Sequence, residues 1–220
     1  MLVRKLIELL APGQCVGCER EGAALCTLCL RAHVVTAMPA CFRCERLTPY
    51  GITCATCLPS SALYQVTVAA RYQGPVKELV RMLKFERGRS AAETAARLII
   101  ACFPGPPSVD VVTAVPIPAA RYRERGYNQS ALVGRLVARH FGLPYSATLE
   151  RVGSGHQVGH GRHERLAAVR GTFSPMRPLP GLRVLSVDDV LTTGATLDEC
   201  ARLLRTSGAV AVQGAAIARR

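Results

Sequence analysis

The chain has 220 residues, of which 49% are apolar, enough to build a packed core and to exclude a disordered chain. Its formal net charge of +13 indicates either a polyanionic partner or a solvated arginine-rich surface. No apolar run approaches the roughly 20 residues that a helix needs to cross a bilayer, which excludes membrane insertion. Charged residues interrupt the apolar amino terminus and no cleavage site follows, so we expect a cytoplasmic protein.

The first sixty residues predict a short helix followed by a cysteine module. Four Cys-x-x-Cys motifs occur in a row, and two such motifs supply the four thiolates of a closed structural zinc site. The spacing therefore predicts two Zn²⁺ ions, with an iron–sulfur cluster or disulfides as weaker alternatives. Short gaps favour pairing of consecutive motifs, and an interleaved arrangement stays open. The predicted ligands are Cys15, Cys18, Cys26, Cys29, Cys41, Cys44, Cys54 and Cys57.

The cysteine module has few large apolar residues, so bound metal must supply much of its folding free energy. We divide the chain into an amino-terminal helix and zinc module over 1–60 and a second domain over 61–220. Two further cysteines, Cys102 and Cys200, lie in apolar helical stretches and are expected to be buried.

Strands and helices alternate through the second domain, a pattern typical of an open, largely parallel α/β sheet. Between these elements, residues 116–129 are predicted as a loop. The Gly-, His- and Arg-rich segment 151–165 is predicted as an exposed, mobile loop. The predicted strands span 64–72, 109–115, 183–187 and 209–213 or beyond, and the predicted helices 75–85, 90–103, 129–141 and 196–207.

The segment VLSVDDVLTTGAT, residues 184–196, carries the clearest chemical signal outside the cysteines. A buried strand leads into adjacent carboxylates and then into a Thr- and Gly-rich loop before a helix. Backbone amides at that helix start favour a phosphate, and two carboxylates suit the hydroxyls of an attached sugar. The pattern predicts a sugar-phosphate ligand, whereas the simpler alternative is a turn whose Asp and Thr only cap the helix. The candidate binding residues are Asp188, Asp189, Thr192, Thr193, Gly194, Ala195 and Thr196.

The same segment resembles the 5-phosphoribosyl-1-diphosphate (PRPP) motif of type I phosphoribosyltransferases, and nearly the whole chain resembles the ComF family of competence proteins. After the cysteine motifs, three further segments resemble segments of the family and occur in the same order along the chain. These segments contain Tyr72, Gly74, Lys84 and Phe85; Arg125, Gly126, Tyr127, Asn128 and Gln129; and Arg151, Gln157, Arg162, Arg165 and Phe173.

The resemblance implies a type I phosphoribosyltransferase-like fold: an open, mostly parallel sheet flanked by helices, preceded by a zinc-ribbon module. It implies PRPP bound with Mg²⁺ and phosphoribosyl transfer to an unidentified acceptor. In such a site the ribose hydroxyls bind the aspartate pair and the 5-phosphate binds the TTGAT loop. The pyrophosphate lies near the loop after the earlier strand, at Val115, Ile117, Arg121 and Arg125.

The loop 151–165 is the candidate lid over this site, and its candidate residues are Arg151, Gln157, Arg162 and Arg165. No residue is assigned as a general base, although His156, His160 and His163 have a suitable intrinsic pKa. The segment departs from the family's pattern at Gly159, His160 and Ala168.

A second interpretation is a non-catalytic module that binds single-stranded DNA, for which the resemblance to the family implies a role in DNA uptake with a helicase partner. The zinc motifs, the +13 charge and the arginine-rich second part favour it. The scarcity of aromatic residues for base stacking counts against it, since Tyr122 and Tyr127 alone lie near the arginine cluster.

Overall fold

The computed structural model describes residues 14–33, 36–85, 88–153 and 169–220, and all structural statements refer to these. Two short 3₁₀ turns, at Pro49–Gly51 and Leu58–Ser60, lie in the cysteine-rich part. The helices and strands are α1 Thr27–His33, β1 Gln65–Arg71, α2 Gly74–Phe85, α3 Gly88–Ile100, β2 Val111–Ala114, α4 Ala119–Arg125, α5 Gln129–His140, β3 Leu149–Arg151, β4 Phe173–Pro175, β5 Arg183–Leu191, α6 Ala195–Thr206 and β6 Ala211–Arg219.

A four-stranded sheet with the order β1-β6-β5-β2 forms the centre of the molecule, and each neighbouring pair is parallel. Strands buried on both faces need nearly continuous apolar sequence, and β2 accordingly reads VVTA with all four residues buried. A separate antiparallel pair joins β3 to β4. The predicted α/β fold with a largely parallel sheet is confirmed.

The helices cover both faces of this sheet. On one face, α2, α3 and α5 pack on Leu185, Val187 and Ile217. On the other face, α6 packs on Val184 and Val212. The helices present an apolar stripe to the sheet and polar residues to solvent, as expected for a layered α/β domain.

One predicted strand is longer in the structure than in the sequence interpretation. Strand β5 continues past residue 187, because Asp188 pairs with Ala216 and Val190 pairs with Ala218 of β6. The last strand, expected at 209–213 or beyond, spans Ala211–Arg219. The aspartate pair therefore lies inside a strand, whose ladder fixes the backbone beneath both carboxylates.

Two further expectations are corrected. Residues Ala119–Arg125 form a helix within the segment predicted as a loop. None of the residues of this helix is buried, so the helix needs no apolar face and its sequence carries no apolar periodicity that would have predicted it. Cys102 follows the end of α3 and is exposed, whereas Cys200 in α6 is buried as expected.

The predicted helix within residues 1–13 lies outside the described residues, as does most of the candidate lid. Three candidate lid residues therefore lie outside the described residues: Gln157, Arg162 and Arg165. The same is true of the segment's three histidines and of the positions where it departs from the family's pattern, Gly159, His160 and Ala168. Within the described ranges, no helix combines the length and the apolar character needed to span a bilayer.

Candidate functional site

The eight predicted ligand cysteines form two separate groups of four. Cys15, Cys18, Cys26 and Cys29 make the first four-cysteine group, and Cys41, Cys44, Cys54 and Cys57 make the second; in each, the Sγ atoms lie within 4.8 Å of one another. Consecutive motifs pair, as the short gaps favour.

The sulfur spacing fits zinc. The Sγ atoms of Cys18 and Cys26 are 3.7 Å apart, and those of Cys44 and Cys54 are 3.6 Å apart. A tetrahedral ion with Zn–S bonds of about 2.3 Å requires sulfurs about 3.8 Å apart, whereas a disulfide would bring them to about 2.05 Å. All eight thiols are free, so both groups are suited to a structural zinc ion.

Backbone amides prepare these thiols for metal binding. The amides of Cys26 and Gly17 donate to Cys15 Sγ at 3.3 and 3.4 Å. Burial alone would raise the pKa of Cys15, but these hydrogen bonds outweigh it and lower the pKa to about 6. Burial raises the pKa of Cys29 to about 12. Metal must therefore displace that proton, which couples zinc binding to proton release.

At the carboxyl end of β5, Asp189 is held by two side chains from other elements. Lys84 Nζ from α2 lies 2.9 Å from Asp189 Oδ2, and Gln129 Nε2 from α5 donates to the same oxygen at 2.9 Å. The amide of Val190 donates to Asp189 Oδ1 at 2.6 Å. Asp189 is 8% exposed, so its orientation is set by these partners.

Asp188 lies beside it in a different environment. Its Oδ1 accepts from Ser130 Oγ at 3.2 Å and from the Asp189 amide at 2.8 Å. Burial of the carboxyl group, and secondarily the charge of Asp189, raises the pKa of Asp188 to about 7. Two carboxylates with such different partners can divide their roles at neutral pH.

The phosphate-type loop begins directly after β5. It leads into α6, whose N-cap is Gly194 in a left-handed conformation with φ of 77°, a residue with no side chain to cap the helix. The Thr193 hydroxyl accepts a long hydrogen bond, 3.4 Å, from the Ala195 amide. Amides at such a helix start favour an anion, which makes this loop a candidate phosphate site.

The predicted pyrophosphate segment reaches the aspartates through one glutamine. Arg125 Nη1 donates to Gln129 Oε1 at 3.0 Å, and Gln129 in turn donates to Asp189. The guanidinium of Arg125 also lies 4.9 Å from the centre of the Phe85 ring. The structure thus connects Arg125 to the aspartate pair.

The other residues of that segment are arranged around β2. The Val115 amide donates to Val187 O at 3.0 Å, and Asn128 Nδ2 donates to Val115 O at 2.9 Å. Ile117 is half-buried and Arg121 is exposed at the start of α4. Burial, and secondarily the charge of Arg121, lowers the pKa of Arg151, whose guanidinium lies 5.2 Å from the centre of the Phe173 ring.

Three residues of the candidate site were absent from the sequence-based assignment: Lys84, Gln129 and Ser130. Lys84 and Gln129 belong to segments that matched the family, which was the available signal. Ser130 follows Gln129 directly.

The chain matches no protein-family model. It is 33% identical to "DNA utilization protein YhgH" of Salmonella typhi, covering 93% of this chain and 96% of that one. It is 27% identical to "Competence protein F" of Haemophilus influenzae, covering 94% of this chain and 90% of that one.

Among solved structures, a glutamine PRPP amidotransferase of B. subtilis in complex with ADP and GMP is 20% identical, with a TM-score of 0.43, over 61% of this chain and 30% of that one. The assignment of the chain rests on the curated relatives, which match it almost end to end, together with the two four-cysteine groups. The chain belongs to the ComF family of competence protein F-like chains, and its two amino-terminal four-cysteine groups fit a double zinc ribbon.

Proposed function

We propose that this protein binds PRPP with Mg²⁺ at the carboxyl end of β5 and donates its phosphoribosyl group to an acceptor. Residues 61–220 form the binding domain in this proposal, and residues 1–60 form a zinc module that supports it. The observation that carries the proposal is the adjacency of Asp188 and Asp189 to a helix start whose N-cap, Gly194, has no side chain.

The ligand's parts are assigned by charge. The 5-phosphate lies on the amides and hydroxyls of residues 192–196, where the helix dipole favours an anion. The ribose hydroxyls donate to the carboxylates of Asp188 and Asp189. Lys84 and Gln129 orient Asp189, since both contact the same oxygen at 2.9 Å. The pyrophosphate lies toward Val115–Arg121, where arginine neutralises charge in a bidentate geometry.

The donor set also fits Mg²⁺, which takes oxygen ligands from one or two carboxylates, substrate phosphates and water. Asp189 is already engaged by Lys84 and Gln129, so Asp188 is the carboxylate better placed to serve the ion. When bound, the ion neutralises the developing charge of the diphosphate leaving group.

In the reaction, the bond from the anomeric carbon to pyrophosphate breaks with its electron pair leaving on pyrophosphate, and the acceptor's lone pair forms the new bond. The acceptor's proton passes to solvent, because no side chain is assigned as a general base. Asp188 and Asp189 stabilise the positive ribosyl centre, and Arg121 and Arg125 stabilise the leaving group. Catalysis rests on positioning and charge stabilisation.

Calorimetric titration with PRPP and Mg²⁺ tests this proposal. The double substitution Asp188→Asn/Asp189→Asn should weaken binding on the order of a hundredfold, because charge-assisted hydrogen bonds to the ribose are lost. Asp110→Asn is the matched control, since Asp110 pairs with Arg183 at the opposite end of the strands. Equal heats for the wild type and the double variant would refute the proposal.

A second candidate function is direct binding of single-stranded DNA in DNA uptake, with a helicase as partner. The names of the relatives, "DNA utilization protein" and "Competence protein F", favour it, as does the net charge of +13. Both candidates fit a cytoplasmic protein, where thiols stay reduced and available to zinc.

Filter binding to single-stranded oligonucleotides at two salt concentrations tests the DNA candidate. Phosphate contacts require a steep loss of affinity between about 50 and 200 mM salt. Absence of binding at the lower concentration would remove this candidate. Competition by PRPP would show whether the two ligands share the loop at residues 192–196.

A further inference from the structure

Phe42 lies between two ligands of the second four-cysteine group, Cys41 and Cys44, yet its ring is directed into the second domain. It is 2% exposed and belongs to the apolar cluster that contains Leu191 and Leu197. These two residues flank the loop proposed to hold phosphate. A core side chain supplied by a metal-binding turn is thus packed beside a ligand-binding loop.

The ring of Phe42 closes directly on Gly194. A Cβ atom at Gly194 would lie 2.4 Å from Phe42 Cδ2 and 2.8 Å from Phe42 Cε2, well inside van der Waals contact. Gly194 also has φ of 77°, a left-handed conformation that strains residues with a side chain. The position therefore needs glycine for its own backbone and for the approach of the ring.

Hydrogen bonds link the second four-cysteine group, and the segment that directly follows it, to β6 and α6. Arg219 Nη2, at the end of β6, donates to Phe42 O at 3.0 Å and to Glu45 Oε1 at 2.8 Å. Just after the group, at the start of the second domain, Ser61 Oγ and the Ala62 amide both donate to Asp198 Oδ1 at 2.9 Å. Asp198 lies in the first turn of α6, directly after the loop.

The first four-cysteine group has different neighbours. Its apolar residues Leu25, Val16 and Leu30 pack with Cys15 and Cys29, and Val16 and Leu30 extend to the cluster formed by α2, α3 and α5. Its surface borders Glu78 and Met82 of α2. The two four-cysteine groups therefore support different parts of the second domain.

We propose that Phe42 is a positioning residue for the phosphate loop. With zinc bound, the second four-cysteine group holds the Phe42 ring against Gly194 and keeps residues 192–196 in their ligand-binding conformation. Loss of metal from this group frees the ring and lowers affinity for the phosphorylated ligand. This inference rests on the proposed function, because it assigns regulation to the same site.

Titration with PRPP and Mg²⁺ compares three variants of the full-length, zinc-loaded chain. Phe42→Ala should bind about tenfold more weakly than the wild type, while keeping two zinc ions per chain. Phe42→Leu retains apolar volume and should recover most of that affinity. Leu25→Ala is the matched control beside the first four-cysteine group, and it should lower the melting temperature but leave PRPP affinity unchanged. Unchanged affinity in Phe42→Ala would overturn the inference.

A double-mutant cycle tests the contact between Phe42 and Gly194 without any ligand. Gly194→Ala should lower the melting temperature sharply in the wild-type background, and much less in the Phe42→Ala background, because the ring that overlaps the new Cβ is gone. Strictly additive shifts would refute the contact even if PRPP binds. Conversely, a wild-type protein that gives no heat with PRPP removes the proposed function, and with it the phosphate role of Phe42. The cycle then still decides whether the ring packs on Gly194.

Discussion

The two ends of the parallel sheet each carry a carboxylate–cation pair with the same separation, 2.9 Å, yet the pairs differ in surroundings. At the amino end, Arg183 Nη2 meets Asp110 Oδ1, with side chains 49% and 34% exposed. At the carboxyl end, Lys84 Nζ meets Asp189 Oδ2, with side chains 23% and 11% exposed. Distance alone therefore does not distinguish a surface ion pair from a candidate active site.

The pKa values separate the two ends. Hydrogen bonds from Arg183 lower the pKa of Asp110 to about 2. Burial and the neighbouring Asp189 raise the pKa of Asp188 to about 7. At the amino end, one carboxylate pairs with one arginine. At the carboxyl end, two adjacent carboxylates lie beside a single lysine. Such an unbalanced arrangement costs stability and is typical of functional sites.

Removal of zinc should produce the largest difference between the two ends of the sheet, measured as protection of backbone amides from hydrogen exchange. A chelator frees Phe42 and the contacts of Ser61 and Ala62 with Asp198, so amides of residues 192–198 should exchange about tenfold faster with deuterium. Amides around Asp110 and Arg183 should keep their protection. Hydrogen exchange with mass spectrometry measures both segments in one sample. Equal loss at both ends would show that the metal supports the fold globally.

Breaking each ion pair on its cation side sharpens the comparison. Lys84→Met leaves Asp189 with a charge and one fewer partner, which should lower the free energy of unfolding by about 2 kcal/mol. Arg183→Met, the matched control, should have a much smaller effect because solvent screens Asp110. Urea unfolding of the zinc-loaded proteins measures both changes. A larger loss in Arg183→Met would contradict the assignment of the two ends.

The pH dependence of stability should also differ between the ends. A folded-state pKa near 7, above the ordinary value of 3.8, means that Asp188 binds a proton in the folded chain and releases it on unfolding. The wild type should therefore lose stability relative to Asp188→Asn as pH rises from about 5.5 to about 7.5. The difference in stability between the wild type and Asp110→Asn should stay constant over this range, because the folded and unfolded pKa values of Asp110 both lie below it.

Parallel unfolding curves for the wild type and Asp188→Asn across that range would contradict the raised pKa. Lys84, Asp189 and Ser130 all face Asp188, and none is altered in this comparison. Saturating zinc in every sample keeps metal release from the thiolates out of the difference.

The smallest effect is expected from Ser130→Ala. The hydroxyl donates to Asp188 Oδ1 at 3.2 Å, a long hydrogen bond worth about 0.5 to 1 kcal/mol. Its loss should raise the pKa of Asp188 slightly further. Carboxyl NMR titration measures this shift, and an unchanged or lower value would show that Ser130 does not stabilise the ionised form.

Local patterns predicted most of the fold and the centre of the site. Apolar strands, amphipathic helices and Cys-x-x-Cys spacing each report on neighbours within a few residues, so the sheet and both four-cysteine groups followed from them. The aspartate pair was evident because Asp188 and Asp189 are adjacent and precede a glycine-containing turn.

The partners of the site could not be derived in this way, because contacts between distant segments leave no periodic signal. Lys84 and Gln129 reach Asp189 from helices far away in the chain, and only the family resemblance pointed to their segments. Phe42 reaches Gly194 from the zinc module through tertiary packing. The extension of β5 past residue 187 arose from pairing with β6, which outweighs the low strand propensity of aspartate.

A crystal soaked with PRPP and Mg²⁺ tests the central claim most directly. The account predicts density for the 5-phosphate on the amides of residues 192–196 and for the ribose hydroxyls within hydrogen-bond distance of Asp188 and Asp189. It also predicts that Phe42 stays packed on Gly194 in the complex. An ordered PRPP molecule bound elsewhere, or an empty loop at saturating ligand, would contradict it.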